Sequence, residues 1–234
     1  MKFKIITIFP EMFPGPLKHS ITGKALKNKK YSLETVDLRK FSNYKNKSVD
    51  EKPFGGGAGM IIRADILQRS LESITNNNNK KKIIFLSPSG RQLNQKKIKE
   101  IIKFEEVILI CGRYEGVDQR FLDFNKIDEI SIGDYIISGG EIASHVLIDA
   151  CIRLIPDVLG NKESLKCESF ENNLLEYPQY TKPSSWKKIT VPDVLLSGHH
   201  EKITQWRKKK ALEKTKKTRP DLWKLYKRYK SEEK

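Results

Sequence analysis

Short apolar runs alternate with amphipathic segments along the first two thirds of the 234-residue chain. That alternation is the pattern of strands feeding helices in a mostly parallel sheet, and it predicts an α/β fold. Residues 3–9 (FKIITIF), 31–38 (YSLETVDL), 82–87 (KIIFLS) and 106–112 (EVILICG) predict strands, with shorter ones at 129–132 (EISI) and 135–138 (YIIS). The run VILI at 107–110 has no polar alternation, as a strand buried on both faces requires. Residues 64–74, 92–103 and 141–154 predict helices, the last from apolar positions at helical spacing in EIASHVLIDACIRL. Gly160 and the polar stretch that follows break the pattern. They predict a first domain over 1–160, a linker over 161–173 and a second domain over 174–234.

Beyond the linker the strand signal disappears. SGHHEKITQWRKKKALEKT reads as a helix with Ser197 near its cap, Ile203, Trp206 and Leu212 on one side and lysines over the rest. Pro220 should end it, and DLWKLYKRY starts another helix. Aromatics interleaved with Lys and Arg suit a nucleic-acid surface, but Trp206 and Trp223 read better as the small core of this domain.

Charge sharpens this division. Of the net charge of +16, residues 182–234 carry +11, from 17 Lys or Arg against 6 Asp or Glu, so a polyanion is the natural partner of the last quarter. A general enrichment in lysine, visible in NNNNKKK at 76–82, explains part of the total but not the asymmetry. No apolar run approaches the roughly 20 residues needed to span a bilayer. The N-terminal apolar stretch is too short and too interrupted for a signal peptide, so a cytoplasmic protein without a membrane partner is expected. Cys111, Cys151 and Cys167 are widely spaced and form no C-x-x-C pair, which predicts reduced thiols and no zinc.

Four glycine-bearing segments stand out: PFGGGAGM (53–60), LSPSGR (86–91), CGRYEGVD (111–118) and SIGDYIISGGE (131–141). The last three follow predicted strands. Ligands in open α/β sheets bind in the crevice at the strands' carboxyl ends, so three such loops together are more informative than any one. Neither G-x-x-x-x-G-K-[ST] nor G-x-G-x-x-G is present, which argues against a nucleoside triphosphate and a dinucleotide. A small ligand wrapped by several backbone loops remains.

The strings CGRYEGVDQR, SIGDYIISGGE, RLIPDVLGN, ESFENNLLEYPQYTKP and SGHHEKITQWR…TRPDL resemble, in order, the signature segments of the bacterial tRNA (guanine-N1)-methyltransferase family that modifies guanosine 37. The resemblance runs from IITIFPEMF to TRPDL, nearly the whole chain. It implies a SPOUT-type, trefoil-knotted, mostly parallel sheet domain that binds S-adenosylmethionine, followed by a small helical tRNA-binding domain. It maps the donor site onto Phe85, Leu86, Ser87 and Pro88, onto Gly112, Tyr114, Glu115 and Gly116, and onto Ser131, Ile132, Gly133, Asp134, Tyr135, Ile136 and Ile137 with Gly139 and Gly140. Backbone groups at strand ends can pair with an adenine edge, and glycine lets the main chain come close.

The reaction so implied removes a weakly acidic ring proton, which asks for a carboxylate base, and builds charge on a carbonyl oxygen, which asks for a cation. By the same resemblance the base is Glu168, in ESF where the family has D-S-F, and the cation is Arg153. Taken alone, Glu168 reads as one more solvated glutamate, and Arg153 as a partner of its helix's C-terminal dipole. Lys182, in YTKP where the family has arginine, keeps the charge but loses the bidentate fork; with Arg207 and Lys208 it is expected to contact tRNA. Ala58 and Ala143 stand where proline is usual. A homodimer with a shared active site and a magnesium requirement are further implications, the ion held by oxygens of Glu115, Glu168 and the donor. A related enzyme for another RNA, and a noncatalytic RNA-binding protein, stay open as alternatives.

Overall fold

The computed structural model describes residues 1–75, 80–159 and 168–232. The chain divides into two compact units, residues 1–160 and 161–234.

The first unit runs β1 (Lys2–Thr7), α1 (Ser20–Lys27), β2 (Ser32–Asp37), β3 (Asp50–Glu51), β4 (Ile61–Ile62), α2 (Ala64–Ile74), β5 (Lys81–Gln92), α3 (Gln95–Ile101), β6 (Glu106–Cys111), α4 (Gln119–Asn125), β7 (Asp128–Ser131) and α5 (Gly140–Ile152). Five strands form one sheet in the order β2-β1-β6-β5-β7, and every pairing in it is parallel. Because strand side chains alternate between faces, β6 feeds two cores. Val107, Leu109 and Cys111 join Leu147, Ile148, Cys151 and Ile152 of α5 on one side. Ile108 and Ile110 join Ile66, Leu67 and Leu71 of α2 and Phe121 and Leu122 of α4 on the other. All six β6 residues are buried, the last five as a continuous apolar run requires and Glu106 as the partner of Lys4 at 2.9 Å.

The predicted strand at 135–138 is not one. β7 is an edge strand paired only with β5, and past Ser131 the chain has no ladder to join. It turns instead: the Ser131 hydroxyl accepts from Gly133 N at 3.2 Å and donates to Gly133 O at 3.0 Å, leaving Ile136 exposed. The predicted helix at 92–103 begins later, because β5 continues to Gln92 and Asn94 then caps α3, its side chain accepting from Lys97 N at 2.9 Å. β5 is also irregular: Leu86 and Arg91 both face Ile130 of β7, so residues 87–90 bulge out of the ladder.

The second unit contains the hairpin β8 (Ser185–Trp186) and β9 (Ile189–Thr190), a short α6 (Asp193–Leu196), and the helices α7 (His200–Thr218) and α8 (Pro220–Glu232). Ser197 does not cap α7. Its hydroxyl bonds Val194 O and His199 N in the turn between α6 and α7, and His199 holds the cap position. Pro220 opens α8, where its missing N–H is harmless. Buried Thr215 accepts from Leu175 N at 2.8 Å, tying the segment after Glu168 to α7.

Candidate active site

A cavity of about 400 Å³ opens at the carboxyl ends of β6, β5 and β7. Its walls are three loops: Phe85–Ser89 at the β5 bulge, Gly112–Val117 after β6, and the segment from Ser131 to Gly140 after β7. The helix α5 starts at the cavity rim, and Gly140 lets it start there. Gly140 N donates to Gly112 O at 2.9 Å, and a Cβ on Gly140 would come within 2.7 Å of Cys111 Cα. No real side chain tolerates that contact, so the third loop and the end of β6 touch only because residue 140 has none.

A buried ion pair fastens the same two loops. Arg113 Nε donates to Glu141 at 2.9 Å, and Glu141, wholly buried, also accepts from the Thr7 hydroxyl at 2.7 Å. A second guanidinium nitrogen reaches Ser138 O at 3.2 Å, and the guanidinium lies over the Phe9 ring at 4.6 Å. Burial pushes the Cys111 thiol far up, with the Glu141 charge adding to the effect, so this sulfur beside the cavity is no nucleophile.

Of the residues matched to the donor site, Phe85, Leu86, Ser87, Pro88, Gly112, Tyr114, Glu115, Gly116, Ser131, Ile132, Gly133, Tyr135, Ile136, Ile137, Gly139 and Gly140 all line this cavity. Asp134 does not line it; the residue is exposed. Arg153 is the exposed C-cap of α5. Glu168 is half-buried in the second unit, beside Ser169, whose hydroxyl accepts from Glu176 N at 3.0 Å. Lys182, Arg207 and Lys208 are exposed in the same unit, the last two on α7. The glycine segment at 55–59 stays outside the cavity lining, but Glu115 N donates to Met60 O at 3.0 Å and Ile62 N to Gly116 O at 3.0 Å, so it borders the second loop.

Comparison with known proteins completes the picture. Residues 1–225 match the profile of a family described as tRNA (Guanine-1)-methyltransferase TrmD. The chain belongs to this family. It is 50% identical over 222 residues to a tRNA (guanine-N(1)-)-methyltransferase of Rhodospirillum rubrum, covering 95% of this chain and 92% of that one. A protein of the same name from Ehrlichia canis is 49% identical over 95% of both chains, and one from Pelagibacter ubique is 50% identical over 96% of this chain and 98% of its own.

The cavity fits the methyl donor such a family uses. Its size is in the range of small-molecule sites, and its lining comes from three loops at strand ends. Gly116 lines it at φ +112°, and a Cβ there would meet no protein atom within 4 Å, so the surface is kept open where a side chain would fill it. Among the described residues no group of three or more His, Cys, Asp or Glu is arranged to hold a metal ion. No helix among them is long and apolar enough to cross a membrane.

Proposed function

We propose that this chain transfers the methyl group of S-adenosylmethionine to N1 of guanosine 37 in tRNA. The observation that carries this reading is the family match over residues 1–225. It gains weight from a cavity lined by sixteen of the seventeen residues that the resemblance matches to the donor site. Bound in that cavity, the donor supplies a methyl group on a sulfonium, which leaves as a neutral thioether. The three loops hold the donor through backbone groups, and the Arg113–Glu141 pair keeps the third loop against the second. Glu168 is the general base that takes the N1 proton as the nitrogen–methyl bond forms and the carbon–sulfur bond breaks. Arg153 steadies the negative charge that builds on the guanine carbonyl oxygen. Glu115, one of two glutamates in the cavity lining, would supply an oxygen to magnesium, as would the donor's own carboxylate.

The enzyme acts as a homodimer in the cytoplasm, each active site shared between subunits, and its donor domain is the trefoil-knotted SPOUT type. Support for self-association comes from α5. Ile142 and Val146, one turn apart, are 51% and 46% exposed on a helix whose other face is core. The basic second unit, with Lys182, Arg207 and Lys208, holds the tRNA backbone.

Labelled methyl transfer to a tRNA transcript tests the reading. Label should enter the guanosine-37 transcript and not one carrying adenosine at that position. Equal labelling of both eliminates position 37 as the target, and no labelling of any RNA leaves a binding protein.

A further inference from the structure

The second unit carries a groove that the donor chemistry does not use. It is formed between residues 177–184 and the helices α6 and α7, and its volume is about 920 Å³. Tyr177, Tyr180 and Trp206 line it together with Leu195, Leu196 and Ile203. Trp206, expected in the domain core, is only half-buried; its ring lies 6.2 Å from that of Tyr180, tilted by 57°. Tyr180 remains 47% exposed. The Arg207 guanidinium sits over the Tyr177 ring at 5.0 Å, and Lys182, exposed, also lines the groove.

Aromatic faces left partly open, cations at the rim and no carboxylate in the lining form a combination with a specific chemistry. A buried peptide would need partners for its backbone, and a lipid tail would need no cations. An unpaired nucleobase needs a flat π surface for its face and a cation for its phosphate, and base–aromatic stacking tolerates any base. The surrounding unit adds the charge: +11 over residues 182–234 favours a polyanion.

We infer that this groove holds an unstacked base of the tRNA, distinct from the guanine that is methylated, stacked against Tyr180 and Trp206 with its phosphate at Lys182 and Arg207. The inference rests on the tRNA reading above and deepens it, since it makes single-stranded character part of what the second unit recognises. RNA proteins read loops in this way, by splaying bases out onto aromatic side chains.

The test is direct binding, not turnover. The full-length protein is titrated with two RNAs of equal length, a stem-loop with an unpaired loop and a fully paired duplex, at several salt concentrations. Tyr180→Ala is expected to weaken stem-loop binding on the order of tenfold, with Tyr180→Phe restoring it, while duplex binding and the salt slope stay at the wild-type value. Arg207→Ala should instead lower the slope by about one for both RNAs. Donor affinity of Tyr180→Ala, measured in parallel, reports that the first unit is intact. Wild-type stem-loop binding by Tyr180→Ala overturns the inference. So does an equal loss on the duplex, and so does a shift of this variant from dimer to monomer in sedimentation, which would assign the groove to a second copy of the chain. Failure of wild-type protein to methylate tRNA strikes the proposed activity and leaves these binding outcomes readable.

Discussion

Replacing Arg113 with methionine keeps most of the side-chain length and removes the ion pair to Glu141 at 2.9 Å, the bond to Ser138 O at 3.2 Å and the charge over Phe9. Glu141 is then a buried carboxylate left with the Thr7 hydroxyl as its hydrogen-bond donor. Breaking a buried pair from one side costs about 3–5 kcal/mol, and the 19% exposure of the Arg113 side chain puts this case near the low end. A loss of about 3 kcal/mol in a domain this size lowers Tm by roughly 6–12 °C. Arg113→Met combined with Glu141→Gln removes the stranded charge while keeping a partner for Thr7, and most of that stability should return. Donor affinity should not. Both variants lack the tether to Ser138, a charge-assisted bond of about 1.5–3 kcal/mol, so the third loop is loose in each and donor binding falls by roughly 10- to 100-fold. Thermal unfolding and donor calorimetry on the two variants separate the effects. A single variant that melts within a degree of wild type refutes the buried-charge reasoning. A double variant that regains donor affinity along with stability refutes the tether.

Other outcomes follow from the same geometry. Glu168→Ala and Arg153→Ala should each lower single-turnover methyl transfer on the order of 10²-fold or more, with donor affinity retained; near-wild-type turnover removes the assigned role. Gly140→Ala should displace α5 from the end of β6 and abolish donor binding, because its Cβ would meet backbone atoms at 2.7 and 2.9 Å that have no rotamer to change; calorimetry showing wild-type affinity contradicts this. Burial pushes the Asp128 carboxyl up, but Lys82 and Lys97, each 3.0 Å away, outweigh it and hold the pKa below the usual value. The stability this contributes is present above the unfolded-state pKa, about 3.9, and is lost as pH falls through the lower folded value. The stability gap between wild type and Asp128→Asn should therefore be full at pH 7 and close in strong acid, and a gap independent of pH denies the linkage. Cys151, its thiol pushed up to about 12 by burial, and Cys111 should resist a thiol reagent at pH 8 in the folded protein, so rapid native labelling of either counts against the packing of α5 on β6.

The central strands could be read from the sequence because each is an apolar run too continuous to face water, and VILI at 107–110 lies wholly buried in β6. What a run does not carry is its neighbour. YIIS at 135–138 has the composition of a strand, but β7 is at the sheet edge and no strand lies beyond it to accept one. The glycine loops were legible as strand-end loops, and glycine at 140 is explained by the 2.7 Å approach to Cys111. Arg113 and Glu141 were not singled out, although both lie in the quoted segments; twenty-eight residues separate the pair, and only parallel closure of β6 and β7 on β5 brings them together. A glutamate straight after a glycine pair at a helix start was the available signal, since a charge at an otherwise apolar helix position has to be paired if it is buried. Trp206 misled in the other direction: its spacing with Ile203 fits a core face, while the chain at 177–184 leaves that face partly open.

The position of β1 between β2 and β6 has a consequence during synthesis. β1 can pair with β2 almost as soon as both leave the ribosome, but the strand that covers its other edge arrives roughly 70 residues later, several seconds at ~5–20 residues per second. For that interval a nearly bare apolar strand presents unpaired backbone to any other chain, the situation that leads to edge-to-edge aggregation. Lys4 sits in the middle of this strand, and in the finished protein it is buried against Glu106 of β6 at 2.9 Å. Before β6 arrives, its charge lacks that carboxylate, and a lysine on an open strand disfavours pairing with other chains. The strand that finally docks carries the carboxylate that neutralises it, so a nascent chain keeps its own place open for its own sixth strand.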